Sequence, residues 1–227
     1  MDKKHLIIKH DLTNLITLPH FELSLEQRII ILLTVLSIKR KKKQLLILFE
    51  ILKEKKYSRR RQYETILQMY LFAGFPLALE TLKLLNKVNP LQQTKNYSED
   101  YNILYEKGIN NCRKVYGSKS EKLLENVSSF SPELSNWLII EGYGKIFSRK
   151  ILSFQEREII AVATLSLLKY KDQLYSHLNG AFRAKISLHK LNNILDYINL
   201  IDPKTGVNFA RKILLQFSFN RGLEINN

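Results

Sequence analysis

The chain has 227 residues, with 36 basic against 21 acidic side chains and a formal charge of +15. That length makes one large domain or two small ones, and 45% hydrophobic residues suffice for a core. Cys112 is the lone cysteine, which excludes an intramolecular disulfide and a Cys-x-x-Cys redox pair and leaves no demand for an oxidising compartment.

The chain opens Met1-Asp2-Lys3-Lys4-His5-Leu6-Ile7-Ile8-Lys9-His10, with an apolar run of three residues. A secretory signal needs about 7–15. Residues 1–22 read as an irregular lead-in. Ser24-x-x-Gln27 then gives a capping box, in which a Ser side chain accepts from an early helical N–H and the residue three on reaches back. The helix it starts is apolar at nearly every position to about residue 39, the pattern of a helix buried on most sides. Its uncharged run, Ile29 to Ile38, is far short of the ~20 residues that span a bilayer, so the expected setting is cytoplasmic, with no membrane. A second helix is expected over about 41–55. A third starts near Ser58, runs to Ala73 and breaks at Gly74-Phe75-Pro76 before a last helix, since proline suits a helix start.

Residues 91–107 are polar and read as a connection. A helix is expected near 119–127, and Ser131-Pro132-Glu133 starts another, with Ser at the N-cap, Pro at the first helical position and an acid in the first turn. Ser153-x-x-Glu156 is a second capping box. It leads helices over about 154–168 and 171–184, and a third starts near Ser187. No segment alternates with the period of a strand, so the fold expected is all-α.

The two capping boxes belong to a repeat. Leu23 to Ser58 matches Leu152 to Ser187 without a gap at an offset of 129, with 12 of 36 positions identical. Fixed-offset self-similarity points to duplicated structural units. The expected organisation is therefore a lead-in over 1–22, a first, degenerate repeat over 23–90, the 91–107 connection and a second, more complete repeat over 108–220. The copies differ in chemistry. Glu158 and His177 in the second stand where the first has Ile29 and Leu48.

Leu71-Phe72-Ala73-Gly74-Phe75-Pro76-Leu77-Ala78-Leu79 resembles the "YAGFPAAL" signature of carboxymuconolactone decarboxylase-like proteins. An ordered set, Gly108, Val115-Tyr116-Gly117, Trp137, Glu141-Gly142-Tyr143-Gly144 to Arg149, Leu152, Arg157, Leu165, Leu174-x-x-His177 and Gly180-Ala181, is similar to the same family's frame. Together the matches cover about 23–85 and 108–215. The resemblance implies an AhpD-like helical bundle, internally duplicated. Single-copy members assemble as trimers or hexamers with sites near subunit contacts. A duplicated chain resembles a fused dimer, and three such chains would form a pseudo-hexameric homo-oligomer.

The family's thiol branch uses Glu, Cys-x-x-Cys and His against peroxide. The 19-residue spacing of Glu158 and His177 resembles that branch, but Tyr170 and Gln173 hold the cysteine positions, so no thiolate exists to attack a peroxide. The decarboxylase branch uses a His with a nearby Glu, commonly as Glu-x-x-x-His. Here that pattern reads Gln173-x-x-x-His177, and residues i and i+4 share a helix face. The implied activity is that of a cofactor-free lyase or isomerase acting on a small carboxylate or lactone. His177 would carry the proton, helped by Glu158 and Gln173. The alternative for His177 is a histidine buried with a satisfied hydrogen bond. For Glu158 it is a salt bridge near the start of its helix.

Arg149 and Arg157 fit a substrate carboxylate bidentately or, alternatively, pair with Glu141, Glu156 or Glu158. Gly74, Phe75 and Pro76 are expected to shape a pocket wall. Trp137 is a candidate substrate contact, although such aromatics are more often core, as are Tyr143 and Phe147. His5, His10, His20 and His189 lack metal-ligand spacing, so no metal is expected. Lys39-Arg40-Lys41-Lys42-Lys43, Lys53, Lys55, Lys56 and Arg59-Arg60-Arg61 concentrate positive charge in the first repeat. They form either a solvated face or a surface for an anionic partner such as nucleic acid. The competing function is a non-catalytic oligomerising module that docks such a partner.

Overall fold

The computed structural model describes residues 3–19, 22–91, 100–205 and 207–223. It is helical throughout, with no strand among the described residues, as the sequence predicts. Eleven α-helices are described: α1 Lys3–Thr17, α2 Leu25–Ile38, α3 Lys42–Glu54, α4 Arg59–Val88, α5 Tyr101–Tyr116, α6 Ser120–Ser128, α7 Pro132–Trp137, α8 Phe154–Leu168, α9 Lys171–Arg183, α10 Leu188–Ile201 and α11 Asn208–Phe219. A π-helix, Leu138–Ile146, follows α7 directly.

Both capping boxes form. Ser24 accepts from the Gln27 amide and Ser153 from the Glu156 amide, while each N3 side chain returns to the cap backbone. Ser58 and Ser187 cap α4 and α10 by accepting from the Arg61 and Lys190 amides, without the return bond. The backbone repeats where the sequence does. The four non-glycine residues with left-handed φ among those described are Arg40, Lys56, Lys169 and Lys185, which form two pairs at the same 129-residue offset. They turn the chain after α2, α3, α8 and α9.

α2 and α8 lie against each other at the centre, buried over Ile29–Ser37 and Glu156–Ser166 respectively. That burial explains why both are apolar on all sides. α4 packs against both α2 and α8, and α10 packs against α2 and, less extensively, α8. One continuous core results, joining residues from Leu12 to Phe217. A satellite cluster of Cys112, Val115, Ile139 and Tyr143 packs α5 against the π-helix. That contact is backbone-close. A Cβ on Gly108 would meet the Ile139 carbonyl oxygen at 2.3 Å, and one on Gly144 would meet that of Leu104 at 2.4 Å.

Two expectations about connections need correction. Residues 3–17 form α1, which buries Leu12 and Ile16. α5 begins inside the expected 91–107 connection, because the Asp100 side chain accepts from the amides of Asn102 and Ile103 and caps it. The rest of that connection, 92–99, lies outside the described residues, as does His20. The expected break falls at Gly74, whose φ of 81° and ψ of 163° are not helical, so α4 is two helical segments meeting at a kink. By length and composition α4 could cross a membrane, its most apolar window having a mean hydropathy of 1.3. It nevertheless buries Gln62, Glu64 and Gln68 within the bundle.

The basic residues divide between two places. Lys39–Lys43 lie at the α2–α3 turn, and Lys53–Arg61 lie around the α3–α4 turn. The 13 residues of α3 between them span about 20 Å. Several have partners: Lys39 with Asp202, Lys42 with Glu80, Arg61 with Glu156, and Arg59 with the Asn89 carbonyl.

Candidate functional site

α8 and α9 run consecutively and pack together, which turns the 19-residue spacing into a contact. His177 Nδ1 lies 2.9 Å from Glu158 Oε2. Glu158 is fully buried and His177 is 4% exposed. The carboxyl group fits because residue 180 is glycine: a Cβ there would stand 2.7 Å from the Glu158 carboxyl carbon. The second oxygen, Glu158 Oε1, is buried without a partner. Burial pushes the Glu158 pKa up, and the neighbouring His177 partly opposes this. With Nδ1 engaged, Nε2 is the ring nitrogen left for exchange with a ligand.

Aromatic rings surround the imidazole. Phe72 of α4 meets it edge-on with centroids 5.4 Å apart, and Phe147 lies at 6.3 Å. Tyr143 packs on Phe147 at 5.3 Å and on Tyr116 at 6.1 Å. Burial raises both tyrosine hydroxyls, that of Tyr116 to about 12, so both are neutral donors at physiological pH. The wall that carries Tyr143 is the π-helix, a geometry frequent at functional sites. Cys112 is buried nearby with its thiol pushed up to about 12 by burial, the state of an inert thiol.

The other sequence candidates are placed differently. Gln173 sits one turn before His177 but is exposed and makes no hydrogen bond to the imidazole, whose Nδ1 belongs to Glu158. Arg149 and Arg157 are committed to Glu64, a residue the sequence reading did not single out. Arg149 binds it through Nε, at 2.9 and 2.8 Å, and through Nη2 at 2.7 Å. Arg157, 1% exposed, reaches Glu64 at 3.4 Å, Gln68 Oε1 at 3.1 Å and the Arg149 carbonyl at 2.7 Å. These bonds take up the Nε–Nη2 edge of Arg149 and bury Arg157 among protein acceptors. Phe75 is exposed and stacks on Tyr70 at 4.9 Å. Pro76 lines a surface pocket with Arg40, Lys42 and Glu80. Trp137 is exposed.

Among the described residues no three His, Cys, Asp or Glu side chains are grouped to hold a metal. Sequence reasoning missed Glu64, Gln68 and, as a site wall, Phe72. The available signal was two buried polar residues four apart, followed by Phe72 at the same spacing, on one face of a largely apolar helix.

The sequence matches no protein-family model. It is distantly similar to 4-carboxymuconolactone decarboxylase of Acinetobacter baylyi, with 26% identity over 97 residues, 42% of this chain and 72% of that protein. It is also 25% identical over 108 residues, 47% of this chain, to Peroxisomal protein 2 of Saccharomyces cerevisiae. The matched stretch covers 38% of the yeast protein's length.

Proposed function

We propose that this is a carboxymuconolactone decarboxylase-like protein in which Glu158 and His177 form a cofactor-free acid/base pair acting on a small carboxylated or lactone compound. The observation that carries the reading is the hydrogen bond between a fully buried carboxyl group and the imidazole, enclosed by aromatic rings. Glu158 fixes the ring through Nδ1, so that Nε2 exchanges the proton. In a decarboxylation the bond to the carboxylate carbon breaks, carbon dioxide leaves, and the electron pair stays on the substrate as an enolate. The Nε2 proton then quenches that carbon. A positioned acid or base of this kind contributes about 10²–10⁴-fold. Neither Gln173 nor the two arginines has a role in this scheme.

The chain is also proposed to work as a homo-oligomer, a trimer of duplicated chains, in the cytoplasm. Exposed Phe75, Leu79, Phe130 and Trp137 support association.

The test is a thermal-shift screen of small lactones, keto acids and dicarboxylates on wild type and His177→Gln. A ligand at 100 times its dissociation constant stabilises by about 2.7 kcal/mol, which raises the Tm of a chain this size by about 5–10 °C. The expected result is a shift in the wild type alone. Equal shifts in both proteins, or none across the panel, would sink the reading.

One observation favours the second reading, a non-catalytic module: the pair is almost closed to solvent. Salt-dependent binding of nucleic acid without any small-molecule response would support that alternative.

A further inference from the structure

α4 belongs to the repeat that lacks Glu158 and His177, yet one of its faces runs along the whole site. Glu64, Gln68 and Phe72 are spaced four apart and share that face. Glu64 holds Arg149 and Arg157. Gln68 brackets Arg157 from both sides: Oε1 accepts from its guanidinium, and Nε2 donates to its carbonyl oxygen at 2.7 Å. Phe72 then lies on His177. One turn earlier, Arg61 binds Glu156 and the Ile151 carbonyl, and between them Tyr70 donates to Glu141 of the π-helix at 2.8 Å. These bonds fix the segment 149–157, which connects Phe147, over the imidazole, to Glu158, beneath it.

The other half of the molecule shows that the fold does not require this network. α10 covers α2 as α4 covers α8. There the positions of Glu64 and Gln68 are Asn193 and Tyr197, facing Arg28 in place of Arg157. Asn193 donates back to the His189 carbonyl of its own helix, and Tyr197 donates to the Leu15 carbonyl of α1. Arg28 Nε, like Arg157 Nε, is a buried donor without a hydrogen-bond partner. The two interfaces have equivalent helices, but the position of Glu64 is the neutral Asn193 on the other side, so the carboxylate that holds two arginines stands where the acid and imidazole are.

We propose that Glu64 is a positioning residue of the Glu158–His177 site: through Arg157 and Arg149 it lets the first repeat set the geometry of the pair in the second. The proposal rests on the reading of that pair as the working site. Its test is made on the resting protein, so it can fail independently of any ligand screen.

The readout is the imidazole ¹H–¹⁵N spectrum of the full chain, with His177 assigned by its loss in His177→Gln. The wild type is expected to show a slowly exchanging, downfield Nδ1 proton on His177. Glu64→Gln, of the same size but neutral, is expected to lose that signal while the helical circular dichroism is retained. Asn193→Ala, the equivalent position on the other interface, is expected to leave both unchanged. Should Glu64→Gln fail to fold, Gln68→Met removes both Gln68 bonds to Arg157 at nearly constant volume, and the same loss is expected. A folded Glu64→Gln or Gln68→Met that is less stable but has unaltered His177 signals would overturn the proposal, because Glu64 would then be a structural ion pair alone.

Discussion

Gly180→Ala separates two effects that the site sets against each other. Alanine in place of a mid-helix glycine ordinarily stabilises by about 1 kcal/mol. Here the added methyl would lie 2.7 Å from Glu158 Cδ and Oε1 and 2.8 Å from Oε2, where ordinary contact begins at 3.4 Å. The carboxyl group must retreat by roughly 0.7 Å in a site with no free volume, a displacement that a well-packed interior resists. That retreat lengthens the 2.9 Å hydrogen bond to His177. Weakening that bond leaves buried polar groups poorly paired, at about 1–3 kcal/mol, so after the helix gain the net change is a loss of up to about 2 kcal/mol. The corresponding fall in Tm is up to about 8 °C. Repeating the substitution on Glu158→Ala removes the clash, and there Gly180→Ala is expected to stabilise by about 1 kcal/mol. Chemical denaturation of the four proteins gives the cycle. The same sign in both backgrounds would refute the argument that residue 180 is glycine to house the Glu158 carboxyl.

Because burial raises the Glu158 pKa, ionising it is harder in the fold than in the unfolded chain, so its contribution to stability is complete below about pH 4.5 and lost as pH rises through the folded value. Urea denaturation from about pH 4 to 7 is therefore expected to show the wild type losing stability relative to Glu158→Gln, and a constant difference would contradict this. Gly108→Ala drives a methyl into the Ile139 backbone, which cannot rotate away as a side chain can. A loss of about 3 kcal/mol or more is expected, and a Tm within 2 °C of wild type would refute it. Lys169 holds a left-handed φ of 62°, which costs an L-residue about 1–2 kcal/mol. Lys169→Gly is expected to raise stability by about 0.5–1 kcal/mol after the added flexibility of glycine is counted, whereas a lower Tm would show that the lysine side chain supports the turn.

Local chemistry was readable from the sequence, and distant partners were not. Ser24, Ser58, Ser131, Ser153 and Ser187 all cap helices where their spacing predicts, because a cap depends on three or four adjacent residues. Gly74 and Pro76 marked the kink for the same reason. Glu158 and His177 were found together because consecutive antiparallel helices bring such a spacing into register. α1 was missed since it buries only Leu12 and Ile16 and has no capping signal. The start of α5 had a signal in Asp100, which was hidden by the polar stretch before it. The π-helix has no period of its own to read, and Glu64 meets its arginines 85 and 93 positions away, beyond any local pattern. The two arginines, legible as carboxylate binders by type, bind the protein's own carboxylate.

The packing of α4 on α8 also has a consequence in time. Glu64 and Gln68 are made 93 and 89 residues before Arg157. At a synthesis rate of about 5–20 residues per second, the first repeat waits roughly 5–20 s on the ribosome for its partner. Throughout that interval α4 presents an apolar face interrupted by an unmatched carboxylate.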